Sequence, residues 1–228
     1  MRDTRLIFVE GLPGSGKTTT SWYIARQMYR LGLNVRLFPE VEPEHPLNVG
    51  GAMHPAGDTK GGTLFGSYNV DAYIEESLQR WRGFAGGPET LARVNILDSY
   101  PYQNSVRVLL QMDASEARIQ DYAREVEAIA APLEPVLVFL HSEAATLERA
   151  ATARGEAWAA YAVELLTDCP YAVRRGLAGM PGALAILDAY NTLMQTLLAS
   201  STVPRLELDP CGNDWTACYD RINEFLGT

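Results

Sequence analysis

The 228 residues carry a formal net charge of −9 and 47% hydrophobic side chains, enough for one sizeable core and within the size range of a single domain, here taken as residues 1–228. The acidic balance repels polyanions and no run of Lys or Arg reverses it locally, which argues against a nucleic-acid partner. No apolar stretch approaches the roughly 20 residues needed to cross a bilayer, no signal-peptide pattern precedes the first strand, and the three cysteines, Cys169, Cys211 and Cys218, suit a reducing compartment. The expectation is a soluble, cytoplasmic protein that does not bind membranes.

The chain opens on Leu6-Ile7-Phe8-Val9, a continuous apolar run of the kind found in a central parallel strand buried on both faces. A glycine-rich loop follows. Ile24, Met28 and Leu31 then recur at helical spacing until Gly32. Leu33, Val35 and Leu37 alternate as a second strand, and Pro39 to Gly66 is rich in Pro and Gly without a period. A loop of that length inside a domain suggests a mobile binding segment over about 43–66.

Val70, Tyr73, Ile74, Leu78 and Trp81 mark a helix ending near Gly83, and Arg93–Leu97 reads as a third strand ending at Asp98. Helical spacing returns in Val106, Leu109 and Leu110 and again from Ile119 to Ile129. Val136–Leu140 is a fourth buried strand. Further helices carry Leu147, then Trp158, Tyr161 and Leu165, then Leu187, Tyr190, Met194 and Leu197. Leu206 and Leu208 form a fifth strand, and Trp215, Cys218, Ile222 and Phe225 a closing helix. Ala185-Ile186-Leu187-Asp188 imitates a strand ending in an acid, but helical spacing runs through it. Five strands separated by helices predict an α/β three-layer sandwich with a mostly parallel sheet.

Gly11-Leu12-Pro13-Gly14-Ser15-Gly16-Lys17-Thr18 matches GxxxxGK[ST] at every fixed position, between a buried strand and an amphipathic helix. Glycines let backbone N–H groups converge on phosphate oxygens, and the following helix directs its positive end at them. Gly11, Gly14, Ser15, Gly16, Lys17, Thr18 and Thr19 are therefore the expected nucleotide-binding residues. Lys17 would reach the outer phosphates of ATP, and the Thr18 hydroxyl would coordinate Mg²⁺.

With this loop and element order the chain resembles the P-loop kinases of small molecules, the group containing nucleoside monophosphate, thymidylate and deoxynucleoside kinases. Three further segments carry the resemblance. In Val94-Asn95-Ile96-Leu97-Asp98-Ser99-Tyr100, Asp98 matches the acid that serves such kinases as catalytic base or Mg²⁺ partner, while Ser99 stands where deoxynucleoside kinases have Arg. Leu147-Glu148-Arg149 and Ala153-Arg154-Gly155 resemble the stretch whose arginines close over the nucleotide. This implies catalytic roles for Arg149 and Arg154, with Arg174 and Arg175 as later candidates, in a helical lid region of about 149–180. In Phe38-Pro39-Glu40-Val41-Glu42-Pro43, the resemblance puts a glutamate near the acceptor. By alternation Glu40 and Glu42 share one side, and either they or Asp98 supply the base.

Tyr68, Arg80, Tyr100 and Tyr102 are candidate acceptor-pocket residues, since aromatics stack on rings and Arg binds anionic groups. Trp81 belongs to the same candidate set, but its helical spacing points to the core. His45, His54 and His141 lack metal-ligand spacing. The expected activity is transfer of the γ-phosphoryl group of ATP, with Mg²⁺, to a hydroxyl or phosphate of a small molecule. The alternative is an ATPase or nucleotide switch acting on a protein partner.

Overall fold

The computed structural model describes residues 3–42, 44–49, 65, 69–209 and 214–228. Strands β1 (Leu6–Gly11), β2 (Val35–Phe38), β3 (Val94–Asp98), β4 (Pro135–Leu140) and β5 (Arg205–Leu208) form one sheet in the order β2-β3-β1-β4-β5. Every pairing among them is parallel, so the sheet is fully rather than mostly parallel. All residues of β1 and β4 are buried, as expected of strands covered on both faces.

Alternation along β1 assigns the two faces. Ile7 and Val9 pack with Ile24 and Met28 of α1 (Lys17–Arg30) and with Ile222 and Leu226 near the C-terminus. Leu6 and Phe8 face the larger core, with Trp81 of α2 (Val70–Ala85) and residues 119–126 and 183–198. Helices thus cover both faces, an arrangement compatible with the predicted three layers. Short α3 (Pro88–Leu91) precedes β3. After β3 come a π-helical turn, Tyr102–Val106, and α4 (Arg107–Gln111). Then follow α5 (Glu116–Ala130), β4, α6 (Thr146–Arg154), α7 (Glu156–Thr167), α8 (Pro170–Arg175) and α9 (Gly179–Ser200), and after β5 the closing α10 (Trp215–Leu226).

Several boundaries move from their sequence-based positions. Helix α2 continues through Gly83 to Ala85, because Phe84 and Ala85 still find the core. β3 starts at Val94, and the region of Val106 begins as a π-helical turn rather than an α-helix. Ile186, Leu187 and Asp188 lie inside α9, as their spacing predicted. Of the expected mobile loop at 43–66, residues 43, 50–64 and 66 lie outside the described residues.

Candidate functional site

The strand order reverses beside β1, and in open parallel sheets the crevice outside the carboxyl ends of strands at such a point is where ligands bind. Gly11–Thr18 leaves β1 at that end. Two of its glycines are sterically required. At Gly11 (φ 150°) a Cβ would lie 2.4 Å from Leu140 O, and at Gly16 (φ 96°) one would lie 2.5 Å from Cη2 of Trp215. Gly14 faces Thr146 and Ala150 of α6, which brings that helix against the loop.

Gly16 offers no side-chain cap to α1, so the backbone N–H groups of its first turn, including Thr18 and Thr19, lack a capping side chain. Ser15 Oγ is buried without a hydrogen-bond partner among the described residues. The Lys17 ammonium is buried and donates to Leu12 O at 2.9 Å, folded back over the loop. An uncapped helix start, an orphaned hydroxyl and a buried cation fit an anion of phosphate size.

Asp98 ends β3 on the face shared by Ile96, the face covered by α1. Thr18 Oγ1 donates to Asp98 Oδ2 at 2.7 Å. Burial raises the Asp98 carboxyl above its usual range, opposed by the Lys17 charge and the Thr18 hydrogen bond. Ser99 (φ 70°) holds its Oγ 3.1 Å from Asp98 Oδ1 and 3.2 Å from Glu40 Oε2, and its single hydrogen serves one at a time. Glu40 Oε1 accepts from Gln103 Nε2 at 2.7 Å. Loop, Asp98 and Glu40 are therefore joined through Thr18 and Ser99. Among the described residues no group of three or more His, Cys, Asp or Glu could hold a metal. Thr18 and Asp98 suit a cation that keeps most of its ligands as water and phosphate, the habit of Mg²⁺.

The other expected residues separate into near and far. Glu42 ion-pairs with Arg36 instead of joining Glu40. β2 ends at Phe38 and the chain turns, with Glu42 N bonded to Pro39 O, so strand alternation no longer applies. Tyr100 is buried, stacked on His45 at 4.1 Å and bonded through its hydroxyl to Asn48. Tyr102 is buried with its hydroxyl 3.2 Å from Glu127. Arg80 pairs with Glu76 on its own helix at 2.7 Å. Tyr100 and Tyr102 are thus part of the core, and Tyr68 lies outside the described residues. Trp81 is core, edge-on to Phe8 at 6.1 Å.

Arg149 donates to Thr146 Oγ1 at 2.7 Å, the residue against Gly14, so it stands beside the loop. Arg154 lies over the Trp158 ring at 4.7 Å, while Arg174 and Arg175 both bind Asp113.

Three polar residues escaped the sequence reading. Glu10 is fully buried and continues the Leu6–Phe8 face. Its Oε1 accepts from Tyr102 N at 2.7 Å and its Oε2 from Gln103 N at 3.2 Å. Burial pushes its carboxyl up to about 8, against the lowering effects of the Tyr102 hydrogen bond and the Lys17 charge. Gln103 and Arg107 follow on the π-helical turn and α4, both buried. The period-two pattern of β1 contained the signal for Glu10; nothing local marks Gln103. No protein-family model matches the chain, and no curated protein sequence matches it.

Proposed function

We propose that the chain is a P-loop kinase: a Mg²⁺-dependent phosphotransferase that moves the γ-phosphoryl group of ATP to a hydroxyl or phosphate of a small molecule. The observation carrying this reading is the 2.7 Å bond from Thr18 Oγ1 to Asp98 Oδ2. It joins the hydroxyl of a phosphate-binding motif to a carboxylate ending the neighbouring strand, the pair that would hold Mg²⁺ on the outer phosphates. Mg²⁺ would neutralise charge on those phosphates. The N–H groups around Gly14–Thr19 and the Lys17 ammonium orient the triphosphate. Arg149, beside Gly14 through Thr146, supplies a further cation, and Arg154 one from the end of the same helix. Glu40, linked to Asp98 through Ser99, takes the acceptor proton and Asp98 serves the metal, which divides the two roles between two carboxylates.

The test is incubation of the purified protein with Mg·ATP and panels of nucleosides, nucleotides, sugars and hydroxylated secondary metabolites, followed by mass spectrometry. A phosphorylated product formed with ADP supports the reading. ATP hydrolysis that requires a protein partner, with no acceptor phosphorylated, replaces it with a nucleotide-switch function.

A further inference from the structure

Arg107 is 3% exposed, and among the described residues its guanidinium has only neutral oxygens for partners: Nε donates to Gln103 O at 3.1 Å and Nη1 to Gln111 Oε1 at 2.5 Å. Among the described residues it forms no ion pair. A guanidinium stays protonated in any protein environment, and a buried charge without a counter-charge is costly unless something of opposite sign is to meet it.

Its neighbourhood is polar and incompletely bonded. Among the described residues Gln103 Oε1 and the Tyr190 hydroxyl, 3% and 1% exposed as residues, have no hydrogen-bond partner; the first can only accept, the second can donate. Burial raises the Tyr190 and Tyr161 phenols; beyond that, Glu10 opposes and Arg107 favours the ionisation of Tyr190, and Arg107 favours and Glu40 opposes that of Tyr161. The hydrogen bonds from Gln103 to Glu40 and from Gln111 to α7 tie together the turn after β2, the π-helical turn with α4, and α7, and Tyr190 of α9 feels the Arg107 charge. Among the described residues Glu40 forms no ion pair with Arg107; its oxygens lie against Gln103 Nε2 and Ser99 Oγ instead. Gln111, which holds Arg107, is anchored by its own Nε2 to Leu165 O of α7 at 2.8 Å.

We infer that Arg107, with the Tyr190 hydroxyl, is an oxyanion subsite that binds a carboxylate or phosphate group carried by the acceptor. The inference rests on the phosphotransferase reading for the word acceptor. Hydrogen bonds link Thr18, Asp98, Ser99, Glu40, Gln103 and Arg107 in that order, so an acceptor with its hydroxyl at Glu40 would have its anionic group toward Arg107. The fork of the guanidinium suits two oxygens of one carboxylate or phosphate. A neutral acceptor would leave the buried charge unmet.

The experiment titrates orthophosphate and acetate separately into the full chain saturated with Mg·AMP-PNP, at ionic strength held constant with chloride, and follows the unfolding midpoint. An anion that binds the native state raises the midpoint with its concentration. The expected result is such a rise in the wild type, with apparent affinity about tenfold or more weaker in Arg107→Met, the loss of one charged hydrogen-bond partner. A response to phosphate alone assigns a phosphoryl-bearing acceptor, and a response to acetate a carboxylate. No rise in the wild type, or an equal rise in the variant, overturns the subsite. Should Arg107→Met fail to fold, Tyr190→Phe removes only the hydroxyl and must weaken the same response; an unchanged response again overturns it. If Mg·AMP-PNP itself gives no stabilisation, the phosphotransferase reading falls, while the Arg107 dependence of the anion response, measured without nucleotide, is judged separately.

Discussion

The carboxyl group of Glu10 accepts a hydrogen bond from the backbone N–H of Tyr102 at 2.7 Å across 92 positions of sequence. The same carboxyl takes the N–H of Gln103, so one side chain at the end of β1 ties down the start of the π-helical turn. Gln103 in turn holds Glu40. Glu10 therefore sets the distance between the motif loop and the carboxylate proposed as base.

Replacing Glu10 by Leu leaves two buried N–H groups without acceptors, at about 1–3 kcal/mol each, whereas Glu10→Gln keeps one acceptor oxygen. Urea unfolding is expected to rank wild type, Gln, Leu in falling stability at pH 5. The pH dependence has a definite sign. The folded carboxyl, pushed up to about 8 from 4.5, binds its proton more tightly than the unfolded chain does. Its contribution is fully present below pH 4.5 and is lost as pH rises toward 8, by roughly 1.4 kcal/mol per unit crossed. Glu10→Gln, which does not titrate, should lack that decline, so the two stability curves converge or cross between those limits.

Asp98→Asn keeps the size of the side chain but removes the charge that would serve Mg²⁺. Phosphoryl transfer should fall by about 100-fold or more, with binding of a fluorescent ATP analogue measured in EDTA unchanged. Full activity in the variant removes Asp98 from the mechanism.

Gly16→Ala meets two penalties that can be separated. The φ of 96° is poorly tolerated by a residue with a Cβ, and that Cβ would strike the Trp215 ring. Together they should cost about 2–4 kcal/mol. In a Trp215→Ala background only the backbone part remains, so a double-mutant cycle should show a coupling energy of about 1 kcal/mol or more. Additive effects would mean that the ring does not limit the loop.

Trp81, flanked edge-on by Phe8 at 6.1 Å and Phe84 at 6.0 Å, belongs to packing. Trp81→Ala should lower unfolding free energy by about 3–5 kcal/mol. Trp81→Phe, a smaller loss of volume, should cost less and leave the KM for any acceptor unchanged; a raised KM would return Trp81 to the pocket.

Much of the framework was legible because it depends on neighbours in sequence. The apolar runs of β1 and β4 read as doubly covered strands, the spacing of Ile24 and Met28 as a helix, and GxxxxGK[ST] as a loop between them, since period and steric demand are local properties. Tyr100 was misplaced for the opposite reason. An aromatic near a strand end reads equally as a stacking surface or as core, and only His45 and Asn48, more than fifty positions upstream, show that it faces inward.

Glu42 was lost to a turn whose direction no alternation rule carries. Glu10, Gln103 and Arg107 were passed over because a buried polar residue has no compositional mark; its role is set by the donors and acceptors that folding brings to it. What the residues by themselves determined is the motif of Gly11–Thr18, the elements on either side of it and the parallel α/β plan, all of which follow from spacing along the chain. Which carboxylates stand beside that loop was decided only in three dimensions. Parallel pairing of β1 with β3 brings Asp98 to Thr18 across 80 positions, and burial then makes each unpaired polar atom costly enough to select its partner.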